Sequence, residues 1–133
     1  LSHAANDYNF LRLAGDASNG VLIPSSKLYV ADSLAESDPQ RGVVKKFIEH
    51  YQTKYGRLPA TFAGNGYDAT MIVAKAIKAA GPDRKAIRDA IEKTTNHVGI
   101  TAVYSYSDSD HFGALPESVE ILTVANGKFV LAK

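Results

Sequence analysis

The segment Ala14-Gly15-Asp16-Ala17-Ser18-Asn19-Gly20-Val21-Leu22-Ile23-Pro24 passes from a polar, glycine-bounded stretch into a short branched apolar run, and its reading decides what lies on either side. Val21, Leu22 and Ile23 are too few for a helix and do not alternate. The run therefore reads as a strand apolar on both faces, buried inside a sheet and closed by Pro24. Upstream, Asp7 to Leu13 predicts a short helix: Asn6 or Asp7 can accept the free N–H groups of its first turn, Phe10, Leu11 and Leu13 supply apolar surface, and Gly15 ends it. Downstream, Ser25 to Asp38 is mixed and polar with Tyr29 and Val30 as scattered anchors, and a connection of that length usually crosses another element.

Pro39 suits the first position of a helix in which Val44, Phe47, Ile48, Tyr51 and Tyr55 recur on one face, with Lys45, Lys46, Glu49 and Lys54 opposite. Gly56 and Pro59 end it. A further helix is predicted from Tyr67 to Ala80, with Ile72, Val73, Ala76, Ile77 and Ala80 on one face and Gly81-Pro82 as its stop. Asp83 can cap a fourth helix through Thr94, striped by Ala86, Ile87, Ala90 and Ile91. Two helices in sequence imply a layer covering a sheet. The period then changes, because Thr101 to Tyr106 and the run containing Val119, Ile121 and Leu122 are rich in β-branched and aromatic residues. Asn126-Gly127 marks a tight type I′ hairpin that returns through Phe129-Val130-Leu131. The order is helix, strand, three helices, strand and hairpin, an α/β pattern without an internal repeat.

Composition narrows the function classes. The 133 residues carry 15 basic and 14 acidic side chains, a net charge of +1, so no global field would hold a polyanion and nucleic acid is a poor candidate partner. Lys or Asp interrupts every apolar run well short of a membrane span. The absence of cysteine excludes thiolate metal sites, a cysteine nucleophile and disulfides. The start, Leu1-Ser2-His3-Ala4-Ala5, has neither an initiator Met nor the pattern of a signal peptide, which suggests a processed or cut chain.

Candidate chemistry is sparse. His3, His50, His97 and His111 have no pair at the spacing of helical metal sites, so no metal centre is predicted, and His50 reads as a solvated surface residue. Asp108-Ser109-Asp110-His111 is ligand-dense, but it lacks the Gly and distal Glu of a calcium loop and reads as a polar turn. Gly64 and Gly66 stand before the predicted helix, but the strand, the Lys and the spacing of a phosphate loop are missing. Asn65-Gly66-Tyr67-Asp68 places a ring and a carboxylate at that helix start. Without a ligand, Asp68 would cap and Tyr67 would pack. A small hydrolase would need Asp68 with Asp108, Asp110 or His111, and no nucleophile and base stand at a recognisable spacing. Convergence of Asp68 and His111 in one pocket would revive that alternative.

Taken in order, the motifs resemble the type I periplasmic binding proteins of branched-chain amino acid transporters. The matching stretches are Phe10-Leu11 with Ala14 to Val21, Asp38-Pro39 with Phe47 and Tyr51, and Tyr55-Gly56-Arg57-Leu58-Pro59. They continue through Gly66-Tyr67-Asp68-Ala69, Ala76-Ile77 with Ala79-Ala80-Gly81, and Val124-Ala125-Asn126-Gly127-Lys128-Phe129-Val130. The resemblance implies a three-layer α/β/α type I fold with Rossmann-like lobes, of which this chain is similar to a C-terminal fragment. It implies that residues 1–24 end the second lobe, 25–115 form the C-terminal part of the first lobe with a crossover, and 116–133 return to the second lobe as a hairpin.

By the same comparison the chain is no enzyme and carries no cofactor. It would bind an amino acid or a small, even aromatic, carboxylic acid in an interlobe cleft and deliver it to a membrane ABC permease. Its location would be periplasmic, or extracellular and lipid-anchored in a Gram-positive host. A ligand-sensing receptor domain of the same fold is the alternative. The implied ligand contacts are Asn19, Tyr67 and Asp68. Asn19 stands where amino-acid binders of the family usually carry a Glu for the ligand ammonium. Its neutrality should disfavour a zwitterion by about 2–5 kcal/mol, the cost of one lost buried partner, and favour an acid without an amino group. A chain with parts of two lobes is expected to bind little alone, and to form a homodimer or a segment-exchanged assembly.

Overall fold

The carboxylate of Asp7 accepts the Asn9 N–H at 2.6 Å and so starts the first helix, α1 (Tyr8–Ala14), whose Leu11 turns inward. The computed structural model describes residues 1–132. A 3-10 turn, Gly15–Ser18, leads into β1 (Leu22–Ser26). Three longer helices follow, α2 (Arg41–Tyr55), α3 (Thr61–Ala80) and α4 (Arg84–Glu92). The two-residue strands β2 (His97–Val98) and β3 (Val103–Tyr104) pair with each other, and β4 (Val119–Ala125) and β5 (Lys128–Leu131) form the terminal hairpin.

The main sheet is antiparallel in the order β1-β4-β5, with Ile23 opposite Leu122 and Val124 opposite Phe129. Asn126 and Gly127 have φ of 51° and 70°, the positive pair that a type I′ turn requires, so the hairpin forms where the sequence predicts it. Ile23 and Leu122 are completely buried, and with Leu11, Val30, Leu34, Val124 and Phe129 they form the core on the inner sheet face. Each such side chain contributes about 1.5–3 kcal/mol by leaving water.

The strand at Val21-Leu22-Ile23 differs from expectation. It continues through Pro24 to Ser26, and Leu22 is 57% exposed, so β1 is not buried on both faces. Only β4 pairs with it among the described residues, which makes it an edge strand, where a residue without an N–H costs no ladder bond. The Pro24 carbonyl instead accepts the side-chain amide of Asn6 at 2.8 Å.

The polar connection after it is also more ordered than its composition suggests. Lys27–Ser33 is a 3-10 helix with a kink at Val30. Val30 and Leu34 enter the sheet core, whereas Leu28 and Ala31 join Val44 and Ile100 in a second core, flanked by Phe47 and Ile48 of α2. Lys27 is buried because its ammonium meets Asp38 at 2.7 Å. One short segment therefore closes both cores.

The third helix begins at Thr61, six residues before its predicted start. Gly64 and Gly66 lie within it, so neither forms a loop before a helix, and Asp68 is not its cap. Helix α3 survives Gly64 because a Cβ there would stand 2.8 Å from Thr101 Cγ2, so the missing side chain admits the 99–102 turn. Asp83 does cap α4, accepting the Ala86 N–H at 2.8 Å. Helix α3 packs along α4, and α2 packs on the 3-10 segment. The predicted strand Thr101–Tyr106 shrinks to Val103–Tyr104, because Thr101 is drawn into the turn held by Asp68.

Candidate functional site

Helix periodicity places Tyr67, Met71 and Lys75 along one line of α3, facing Val43, Phe47 and Tyr51 on α2. Between these lines runs an open groove of about 720 Å3, floored by Gly99 and Ile100. Its aromatic wall is continuous: the Phe47 ring lies 5.1 Å from Tyr67 and 5.8 Å from Tyr51, which in turn lies 4.6 Å from Tyr55. Tyr67 is 45% exposed, so its ring presents free surface to the groove as well as packing on Phe47.

Asp68, one residue on, turns the other way. It is 1% exposed and accepts the Ile100 N–H at 2.6 Å, the Thr101 N–H at 2.8 Å and the Thr101 hydroxyl at 2.7 Å. Three donors onto one carboxylate satisfy the charge without any ligand. The network continues from the Thr101 hydroxyl to the Tyr104 hydroxyl at 2.8 Å. Burial raises the Tyr104 phenol above its ordinary pKa, against the lowering effect of the Thr101 hydrogen bond. Burial raises Tyr106 as well, with a further push from the Asp68 charge. Both rings stay protonated and stack at 6.0 Å.

At the far end of the groove Lys75 Nζ lies 2.9 Å from His97 Nδ1. Burial, followed by the neighbouring Lys75 charge, holds the His97 imidazole below its ordinary pKa, although Asp68 pulls it the other way. A neutral imidazole is an acceptor at this nitrogen, so the ammonium donates to it. Lys46, His50 and Lys54 add further basic groups from α2.

Of the residues singled out in the sequence, Tyr67 and Asp68 share this groove, but Asn19 does not line it. Asn19 is exposed beside the β4–β5 turn, and its Oδ1 accepts the Asn126 N–H at 3.1 Å. His111 pairs with Glu92 at 2.9 Å, beside Arg88, Ile91 and Tyr106 in a separate hollow, so Asp68 and His111 do not converge. Asp110 accepts the Phe112 and Gly113 N–H groups at 2.9 and 3.0 Å, which makes its segment a turn. No group of three or more metal-capable side chains occurs among the described residues. Lys75 was not singled out in the sequence, Lys46 was read as facing away from the apolar side of its helix, and His97 was named only as one of four unpaired histidines. The four-residue spacing of Tyr67, Met71 and Lys75, and of Lys46, His50 and Lys54, was the available signal for the two helix lines.

Residues 2–128 match a protein family described as periplasmic binding protein. Among solved structures, an extracellular ligand-binding receptor from Rhodopseudomonas palustris HaA2 is similar at 30% identity and a TM-score of 0.90, over 99% of this chain and 40% of that one. The leucine binding protein LivK from Thermotoga maritima is similar at 32% identity and a TM-score of 0.77, over 99% of this chain and 35% of that one. The branched-chain amino acid transporter substrate binding protein LivJ from Streptococcus pneumoniae, solved in complex with isoleucine, is 26% identical with a TM-score of 0.76, again over 99% and 35%. This chain thus spans well under half the length of those proteins. No curated protein matches it.

Proposed function

The chain belongs to the type I periplasmic binding proteins, and from that premise we propose that the protein carrying it binds an amino acid or a small carboxylic acid for import. The observation that supports this most is the exposed ring of Tyr67, set against Phe47 in a groove of about 720 Å3, a size suited to a small molecule. Binding proteins perform no bond chemistry. A ligand that touches two lobes stabilises the closed arrangement, and the closed arrangement is what an ABC permease in the membrane would recognise.

The proposed location is extracytoplasmic, in keeping with the family and with neighbours described as extracellular receptors. On this reading residues 1–24 and 116–133 belong to one lobe and 25–115 to the other. Asn19 would then lie on the opposite side of the cleft from Tyr67. The test is calorimetric titration of the full-length protein with leucine, isoleucine, valine and amine-free acids. Saturable binding of one of them is expected, and no binding by any would reject the proposal.

Self-association of the 133-residue chain belongs to the same reading. Leu22, Val119 and Ile121 lie together on the outer face of the sheet and are half exposed or more. A homodimer or a segment-exchanged pair would cover them. Light scattering should then give twice the monomer mass or more, and a clean monomer would count against it.

A further inference from the structure

We propose that α2 and the loop after it carry a docking face for an anionic phospholipid surface, in which Lys46, Lys54 and Arg57 meet the lipid phosphates while the Tyr51 and Tyr55 rings settle at headgroup level. This goes beyond the solute-binding reading and leaves the ligand of the groove open.

The net charge of +1 hides a strong separation. Residues 41–80, the span of α2 and α3, carry seven Lys and Arg against two Asp and Glu, whereas the rest of the chain carries eight against twelve. Of those two acids Asp68 is buried and already holds three donors, so Glu49 alone faces solvent. Lys46, Lys54 and Arg57 form no ion pair among the described residues, although Lys45 on the same helix reaches Asp32 at 2.8 Å, and Lys27, Lys85 and Arg88 elsewhere are all paired. Their charge is uncompensated at short range. Such a patch attracts an anionic plane that comes within a Debye length, about 8 Å at physiological salt.

Position and chemistry favour a bilayer as the partner. Lys46, His50 and Lys54 recur every four residues along one line of α2, and Phe47, Tyr51 and Tyr55 along the next, so a basic edge lies beside an aromatic edge. The edges are joined: Lys54 Nζ lies 5.4 Å from the centre of the Tyr55 ring, and the Arg57 guanidinium 5.7 Å from that of Tyr51. Tyr55 is 54% exposed, and Leu58, next to Arg57, is 43% exposed. A ring with a wet hydroxyl suits the boundary between headgroups and acyl chains, and a long cationic stem snorkels to the phosphates above it. An acidic polypeptide would meet the cations but offer Tyr55 and Leu58 no apolar layer to enter. An extracytoplasmic binding protein works beside a membrane, so the face has such a surface to meet.

The test is co-sedimentation of the full-length protein with vesicles of phosphatidylcholine alone and with vesicles that also contain phosphatidylglycerol. It is read as the ratio of the two partition coefficients, so that any attachment indifferent to lipid charge cancels. The ratio should be on the order of a hundredfold at low salt and fall towards one at about 1 M salt, where the Debye length is about 3 Å. Lys46→Gln, Lys54→Gln and Arg57→Gln should each lower it about fivefold, the equivalent of about 1 kcal/mol per basic residue near the surface. Tyr55→Ser should weaken binding to the mixed vesicles several-fold without changing its salt dependence. Lys128→Gln, which removes the same charge from the β4–β5 hairpin, should leave the ratio unchanged. A ratio near one at low salt would overturn the inference, as would a ratio that Lys128→Gln lowers as much as the α2 variants do. Binding of poly-L-glutamate that the α2 variants abolish, without any vesicle binding, would also overturn it and give the face to an acidic protein.

Discussion

Asp68 Oδ2 accepts both the backbone N–H of Thr101, at 2.8 Å, and its side-chain hydroxyl, at 2.7 Å, so a single carboxylate oxygen holds that residue at two points. With Ile100 on Oδ1, this fastens the 99–102 turn to the middle of α3. An Asn at this position keeps the shape but sets an amide donor against at least one of these donors. Asp68→Asn should therefore cost about 2–4 kcal/mol, the penalty for leaving buried groups unpaired. Urea unfolding measures it, together with hydrogen exchange at Ile100 and Thr101, which should quicken. A stability change near zero would show that these hydrogen bonds do not hold the turn.

Two glycines on one helix should respond in opposite directions to the same substitution. A Cβ at Gly64 would meet Thr101 Cγ2 at 2.8 Å and Ile100 Cγ2 at 3.0 Å, whereas one at Gly66 meets nothing within 4 Å. Gly64→Ala should destabilise by about 1–3 kcal/mol through overpacking. Gly66→Ala should stabilise by about 0.5–1 kcal/mol, the ordinary helical difference between the two residues. Thermal melts of the two variants side by side decide it.

Lys27 and Asp38 form a buried ion pair at 2.7 Å beside the 3-10 segment that closes both cores. Burial works against the charged Asp38, but the Lys27 hydrogen bond and charge, with the Gln40 and Arg41 N–H groups, outweigh it and hold its pKa below the ordinary value. A depressed carboxyl contributes stability that is present above its unfolded pKa and lost as pH falls through the folded one. Lys27→Met should cost about 2–4 kcal/mol at neutral pH, since it strands a mostly buried carboxylate. It should also flatten the acid limb of stability below about pH 4, the unfolded value for Asp. Denaturant titrations at pH 7 and pH 3 test both parts.

The His97 pKa is lowered in the folded protein, so protons bind more tightly to the unfolded chain. Stability from this group is therefore complete above its unfolded pKa of about 6.5 and declines as pH falls from there towards the lower folded value. Melting temperatures measured between pH 7.5 and 5 should drop for the parent chain and drop less for His97→Asn. An equal drop in both would show that other groups carry the dependence.

What the sequence made legible was local. The Asn126-Gly127 turn and the Asp83 cap each depend on a backbone requirement met within a few residues, and both appear where expected. The start of α3 was hidden because Gly64 and Gly66 read as a stretch before the helix, and Gly64 is explained only by contact with Ile100 and Thr101. Ser25 to Asp38 read as polar because the partner that lets Lys27 be buried lies at the other end of the same stretch. Tyr67 was named through the family resemblance alone, and the structure sets its ring in the groove. The pairing of Lys75 with His97 could not be read, since the end of α3 and the whole of α4 separate them.

Tyr29 belongs to the core of the sheet, packing on Phe129, but its hydroxyl donates to the Asn6 carbonyl and accepts the Thr61 N–H at 3.2 Å, at the first residue of α3. A single phenolic oxygen thus serves as an axle between the hairpin side of the molecule and the helix that carries Tyr67. A Phe at position 29 would preserve the packing on Phe129 while removing both hydrogen bonds, and so would unfasten the start of α3 from the hairpin side.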